Sequence, residues 1–121
     1  MTTESDFYQR LKRNMPDFKF QRIETTTQSG VFDCVGHHDF AMFWLELKVA
    51  PNVMSPSQHA WVASMRNVCP NLFVMTLHPT KKEIVLEHLN TKRSWTFNEV
   101  GRSFDWNKIA DQILFYARQF A

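Results

Sequence analysis

The chain reads as an α/β fold: a single small domain with a mixed central sheet flanked by helices. Three observations lead there. Apolar residues recur at helical spacing near both ends, as Phe7, Leu11 and Met15 and again as Ile109, Ile113, Tyr116 and Ala117. A ten-residue run at 40–49 alternates with period two and is the strongest strand signal in the chain. Between the strand-like runs lies a sharp helix start, Ser55-Pro56-Ser57-Gln58. The resulting order is α-β-β-β-α-β-β-α, a layered mixed domain.

Residues 5–15 are predicted helical, with Asp6 or Ser5 as the cap, one apolar face at i, i+4 and i+8, and Pro16 as the stop. Residues 18–24 alternate like a strand, 25–30 are polar enough for a loop, and 31–35 form a second short strand. Gly36-His37-His38-Asp39 is the expected hairpin turn before the strand at 40–49, which residues 50–55 with Pro51 then break. Ser55 fits the N-cap, Pro56 the first helical position and Gln58 the N3 slot of a capping box. That helix is expected to reach about Val68 and to bury Ala60, Trp61, Met65 and Val68. Strands at 72–77 and 83–89 flank a turn at 78–80, and a final helix runs over 106–120 behind Asp105. Its stripe of Ile109, Ile113, Tyr116, Ala117 and Phe120, widened by Leu114 and Phe115, exceeds what a surface helix needs. Deep burial within the domain explains it, and so does a homodimer contact.

A length of 121 residues is one domain's worth, and 44% hydrophobic with 21% charged residues is ordinary soluble usage. No run approaches the ~18 to 20 apolar residues of a membrane span, and the polar, acidic start is unlike a secretory signal. Cys34 and Cys69 lie far apart without CxxC spacing, so neither a zinc site nor a disulfide framework is indicated. A cytoplasmic protein with no membrane contact is expected. The net charge of +2 is uninformative, but its distribution is not. Arg10, Lys12, Arg13, Lys19 and Arg22 precede a middle with Glu24, Asp33, Asp39 and Glu46, and Lys81, Lys82, Lys92, Arg93 and Arg102 follow it. An acidic centre between basic flanks suits a metal site with phosphate-gripping shoulders; it also suits a solvated surface.

The stretch 43–49 is the most informative. Phe43, Leu45, Leu47 and Val49 share one strand face, and Trp44, Glu46 and Lys48 share the other. A carboxylate and an ammonium side by side on a central strand cost several kcal/mol unless paired, hydrogen-bonded or metal-bound, whereas on a wet face they cost little. Asp33 sits in the preceding apolar strand, one hairpin away, so it can approach Glu46, and two converging carboxylates call for a cation. His37 and His38 fit turn polarity, His59 a surface position or, as the alternative, one facing phosphate, and Cys34 a small core residue.

Asp33 followed by Glu46-Leu47-Lys48, thirteen positions on (46 − 33), resembles the signature of the PD-(D/E)XK nucleases. Arg22-Ile23-Glu24, Gly30-Val31-Phe32-Asp33, Trp44 to Val49 and Ser55-Pro56-Ser57-Gln58-His59-Ala60-Trp61 together resemble the phage-type VRR-NUC group of that superfamily, which is Holliday-junction-resolvase-like. The likeness spans residues 18–66, and Phe32 stands where the family usually has Pro. The resemblance implies a restriction-endonuclease-like fold and metal-assisted phosphodiester hydrolysis with Mg²⁺ or Mn²⁺. Asp33 and Glu46 would be metal ligands with the Leu47 carbonyl, Lys48 would position the attacking water, and Gln58 would contact the site or the scissile phosphate. Glu24 matches a further acid, with Glu4 the competing candidate. Arg22, Lys19 and Arg13 become candidate nucleic-acid contacts. The implied partner is DNA, branched or structured, met by a homodimer in the cytoplasm, that of the host if the chain is phage-encoded. DNA versus RNA stays open. The alternative is a non-catalytic nucleic-acid or protein interaction module on the same fold.

Overall fold

Among the described residues six strands form one sheet in chain order: β1 (Lys19–Arg22), β2 (Cys34–His38), β3 (Ala41–Val49), β4 (Leu72–His78), β5 (Glu83–His88) and β6 (Arg93–Asn98). The computed structural model describes residues 2–23, 30–32 and 34–119. Every neighbouring pair is antiparallel except β3 with β4, which run parallel. A parallel pair needs a crossover, and helix α2 (Pro56–Met65) supplies it. Helices α1 (Glu4–Asn14) and α3 (Trp106–Gln119) open and close the order of elements. The small α/β class with a mixed sheet is as the sequence predicts; β6 is an addition to it.

Alternation along β3 divides the structure. Phe43, Leu45 and Leu47 pack with Phe73, Met75, Ile84 and Leu86 under Phe7 and Leu11 of α1 and Ile109 and Ile113 of α3, all buried. On the other face a smaller cluster of Phe32, Leu72 and Val74 lies under Trp61 and Val62 of α2. The apolar stripe of α3 is thus spent inside the domain, with Phe115 left 59% exposed; Phe120 lies outside the described residues.

Several local expectations need correction. The cap of α1 is Thr3: its hydroxyl accepts from Asp6 N at 3.1 Å while Asp6 Oδ2 accepts from Thr3 N at 3.0 Å, so Asp6 is the N3 partner and Ser5 is inside the helix. The same reciprocal box at α2, Ser55 with Gln58, is as the sequence predicts. However, α2 ends at Met65, and Ala60 and Val68 are exposed while Val62 is buried beside Trp61. The chain has to turn there to enter β4, and Asn90 Nδ2 holds the turn by donating to the carbonyls of Arg66 and Cys69, each at 2.9 Å.

The second strand is shifted. Gly36, His37 and His38 belong to β2, and the turn falls at Asp39 and Phe40, with Asp39 taking the left-handed conformation at φ 52°. Gly36 serves packing, not turning: it pairs with Phe43, whose ring would lie within 2.2 Å of a Cβ placed there. β6 was missed although Trp95 and Phe97 alternate inward, because neighbouring charges and short length masked the period. Among the described residues no helix is long and apolar enough to cross a membrane.

Candidate functional site

Glu46 is 3% exposed on β3, with neighbours in the ladder on both sides of the strand. Its Oε2 lies 3.4 Å from Lys48 Nζ, and the lysine side chain is itself 12% exposed. The wet-face reading of this pair is therefore wrong at Glu46. On the same sheet face, Trp61 of α2 packs edge-on against Trp44 at 5.4 Å and tilts against Phe32 at 5.0 Å. Burying an ion pair usually stabilises less than an apolar pair of equal volume would, so stability alone does not account for it.

Neighbouring segments approach this part of β3. Cys34 pairs with Leu45, the residue before Glu46. Gly30, at φ 87°, packs so closely on the first turn of α2 that an added Cβ would come within 2.1 Å of the Ser57 carbonyl oxygen. The segment 30–32, β3 and the start of α2 thus meet. Gln58 is half-buried at that start, with its Oε1 accepting from Ser55 N at 3.0 Å, so its carbonyl end serves the helix cap. The Leu47 side chain is buried on the opposite face, as its alternation requires. Asp33 and Glu24 lie outside the described residues.

The remaining candidates are dispersed. Glu4 borders a separate cleft, between the start of α1 and residues 49–52. Lys19 and Arg22 are exposed on the edge strand β1 but stand on opposite sheet faces, three positions apart. The Arg22 guanidinium lies 5.0 Å from the ring centre of Tyr8, on the α1 side. Arg13 is exposed in the last turn of α1. These three cations do not form one surface with Lys48.

Beside Lys48 opens a cleft of about 440 Å³, floored by β3, β4 and β5 and walled by the chain from Ala50 to Met54. His59, Thr76, His78 and Glu87 all line it with Lys48; of the four, the sequence offers a reading toward phosphate for His59 alone. A usable signal existed for Glu87: Ile84, Leu86 and His88 are buried while Glu83, Val85 and Glu87 alternate with them, marking a polar face continuous with that of Glu46. The register places Glu46, Val74 and Glu87 in one row across three strands, and Lys48, Thr76 and Val85 in the next.

A hard cation such as Mg²⁺ takes oxygen ligands and needs one or two carboxylates. Glu46 fits as one. Among the described residues no group of three His, Cys, Asp or Glu side chains is placed to hold a metal, and the second predicted carboxylate, Asp33, is not among them. Comparison of the chain with family models, with curated proteins and with solved structures finds no match.

Proposed function

We propose that the protein is a divalent-metal-dependent endonuclease of the PD-(D/E)XK kind, hydrolysing phosphodiester bonds of DNA. The observation that carries this reading is the buried Glu46 carboxylate, 3.4 Å from the Lys48 ammonium, at the edge of an open cleft on a central strand. Two further observations support it. Cys34, the residue after Asp33, pairs with the residue before Glu46, which favours Asp33 as the second carboxylate. The N-terminal turn of α2, carrying Gln58, is packed against Gly30, so two of the spaced segments, the one at Gly30 and the one at Ser57-Gln58, are in contact.

In this reading Asp33, Glu46 and the Leu47 carbonyl would hold Mg²⁺ or Mn²⁺, which when bound supplies charge to the scissile phosphate and acidifies water. Lys48 orients the attacking water and offsets the negative charge gathering on the phosphate oxygens. Water adds to phosphorus and releases a proton to solvent, the bond from phosphorus to the leaving sugar oxygen breaks, and that oxygen takes up a proton from solvent. A buried carboxylate beside the ammonium keeps the Lys48 head in place, since both groups lose water on burial and hold each other instead. Branched or structured DNA and a homodimer remain parts of the proposal. Phe115, exposed on α3, is where a dimer contact would be sought.

The test is a cleavage assay on a labelled four-way junction, a flap, and linear double- and single-stranded DNA, with Mg²⁺, Mn²⁺ or EDTA. Metal-dependent cutting that disappears in Glu46→Gln is expected. Absence of cutting on every substrate, or cutting that survives in Glu46→Gln, overturns the assignment.

A further inference from the structure

The cleft beside Lys48 is polarised. At one side stands the Lys48 ammonium, and two strands across the floor stands the Glu87 carboxylate, half-buried and in the same row as Glu46. Strands are spaced ~4.8 Å apart, so the floor from β3 to β5 is ~10 Å wide. Between the two charges the surface is mostly apolar: Val74 and Val85 flank Thr76 on the floor, and Pro51, Val53 and Met54, with Asn52 among them, form the overhanging wall. A volume of about 440 Å³ with apolar walls and a few placed polar groups is the usual form of a small-molecule site.

A nucleotide has the complementary polarity, with an anionic phosphate at one end and a flat, hydrogen-bonding base at the other. We propose that this cleft takes one unstacked nucleotide flanking the scissile phosphate, and that its base carries an exocyclic amino group. The phosphate lies toward Lys48 and His59, the base enters between the valine floor and the Pro51 to Met54 wall, and Glu87 accepts from the amino group. Carboxylates pair with cytosine or adenine amino groups and repel the carbonyl edge of thymine or uracil. A base stacked inside a duplex cannot enter such a pocket; a single-stranded or displaced one can. The preferred substrate is therefore nucleic acid that offers an unpaired adenine or cytosine next to the cut. The inference rests on the nuclease reading for the position of the phosphate, but not for the occupancy of the cleft.

Two independent arms test it. In the cleavage arm, wild-type protein meets a single strand, its full duplex, and the same strand made abasic at the nucleotide flanking the mapped cut, in deoxy and ribo forms. A loss of about tenfold or more on going to the duplex or the abasic strand is expected, with Glu87→Gln reducing the preference for cytosine over thymine at that position. Equal cutting of all three substrates overturns the proposal while leaving the nuclease reading standing. In the binding arm, with EDTA present, a single-stranded oligonucleotide carrying 2-aminopurine is titrated with wild type and with Val85→Trp, which fills the floor of the cleft. Binding weakened about tenfold in the variant is expected, and Val85→Leu serves as a milder filling should the tryptophan variant not fold. Binding unchanged by either filling overturns the proposal. Binding that depends on the cleft without cleavage of any substrate keeps the nucleotide site and overturns the nuclease reading.

Discussion

The two faces of the sheet use their side chains differently. On the face under α1 and α3, Phe7, Leu11, Phe43, Leu45, Phe73, Met75, Ile109 and Ile113 are all fully buried, and the buried polar residues among those described are His88 and the Asn71 that faces it. On the face under α2 the apolar cluster is small, the helical cover among the described residues is α2, and a buried ion pair and a cleft take the rest of the face. Both faces arise from the same alternation along β3 and β4. The contrast indicates that cohesion resides on the doubly covered face, which leaves the singly covered face room for groups that stability would not select.

The sharpest way to break that division is to exchange damage between the faces. Glu46→Gln keeps the volume and most of the packing while removing the charge, so cleavage should fall ~10³-fold or more with little change in the melting temperature. Phe43→Ala should do the reverse, costing about 3 to 5 kcal/mol of stability through the cavity it leaves, with any folded fraction still cutting. Cleavage rates and thermal melts of the two variants check both halves. Melting loss in Glu46→Gln as large as that in Phe43→Ala would erase the distinction.

Legibility in the sequence followed the same division. The doubly covered face was readable because Phe43, Leu45, Leu47 and Val49 alternate cleanly and the α3 stripe recurs at helical spacing. On the other face the motif pieces were visible as residue types, and the Ser55 and Gln58 box was placed correctly. Their environment was not visible. The burial of Glu46 and the meeting of Trp61 with Phe32 and Trp44 are long-range packing events with no local periodicity. The cleft depends on β5 lying two strands from β3, which places Glu87 in the row of Glu46 although 41 residues separate them (87 − 46). The misplaced hairpin turn had a different cause: Gly36 was read for its freedom in turns, whereas its lack of a side chain is used to seat the Phe43 ring.

The buried histidine on the cohesive face makes its stability depend on pH. His88 is fully buried, with Nδ1 2.8 Å from Thr91 Oγ1, Nε2 3.4 Å from Asn71 Oδ1, and its ring stacked on Tyr116 at 4.4 Å. Burial disfavours the imidazolium and lowers the pKa from 6.5 to about 4. The unfolded chain therefore binds a proton that the folded chain refuses between these values. Stability should be unaffected above pH 6.5, decline as pH falls toward 4, and lose about 3 kcal/mol in all once both states are protonated. Denaturant melts across pH 4 to 7 measure it, with His88→Gln expected to flatten this part of the profile.

A glycine on each face sharpens the comparison further. Gly36→Ala pushes a methyl into the Phe43 ring, and Gly30→Ala pushes one into the Ser57 carbonyl while holding a left-handed backbone. Each should cost ~1 to 3 kcal/mol. Only Gly30→Ala should also depress cleavage in protein that is still folded, because it displaces the first turn of α2 from β3. Equal activity loss in both variants would mean that the seat of α2 does not set the site.

The smallest effect separates two roles for one side chain. Ser55 and Gln58 complete a reciprocal cap, Ser55 Oγ accepting from Gln58 N at 3.2 Å and Gln58 Oε1 accepting from Ser55 N at 3.0 Å. Loss of the Ser55 cap costs ~1 kcal/mol, and loss of the Gln58 half no more than that. If Gln58 only caps, Ser55→Ala and Gln58→Ala should lose similar stability and similarly little activity, measured well below both melting temperatures. If its amide nitrogen also reaches the scissile phosphate, Gln58→Ala should cut several-fold more slowly than Ser55→Ala at equal stability. The structure favours the second outcome, because the cap uses only the oxygen of the amide and Gly30 holds this turn against the segment that enters β2.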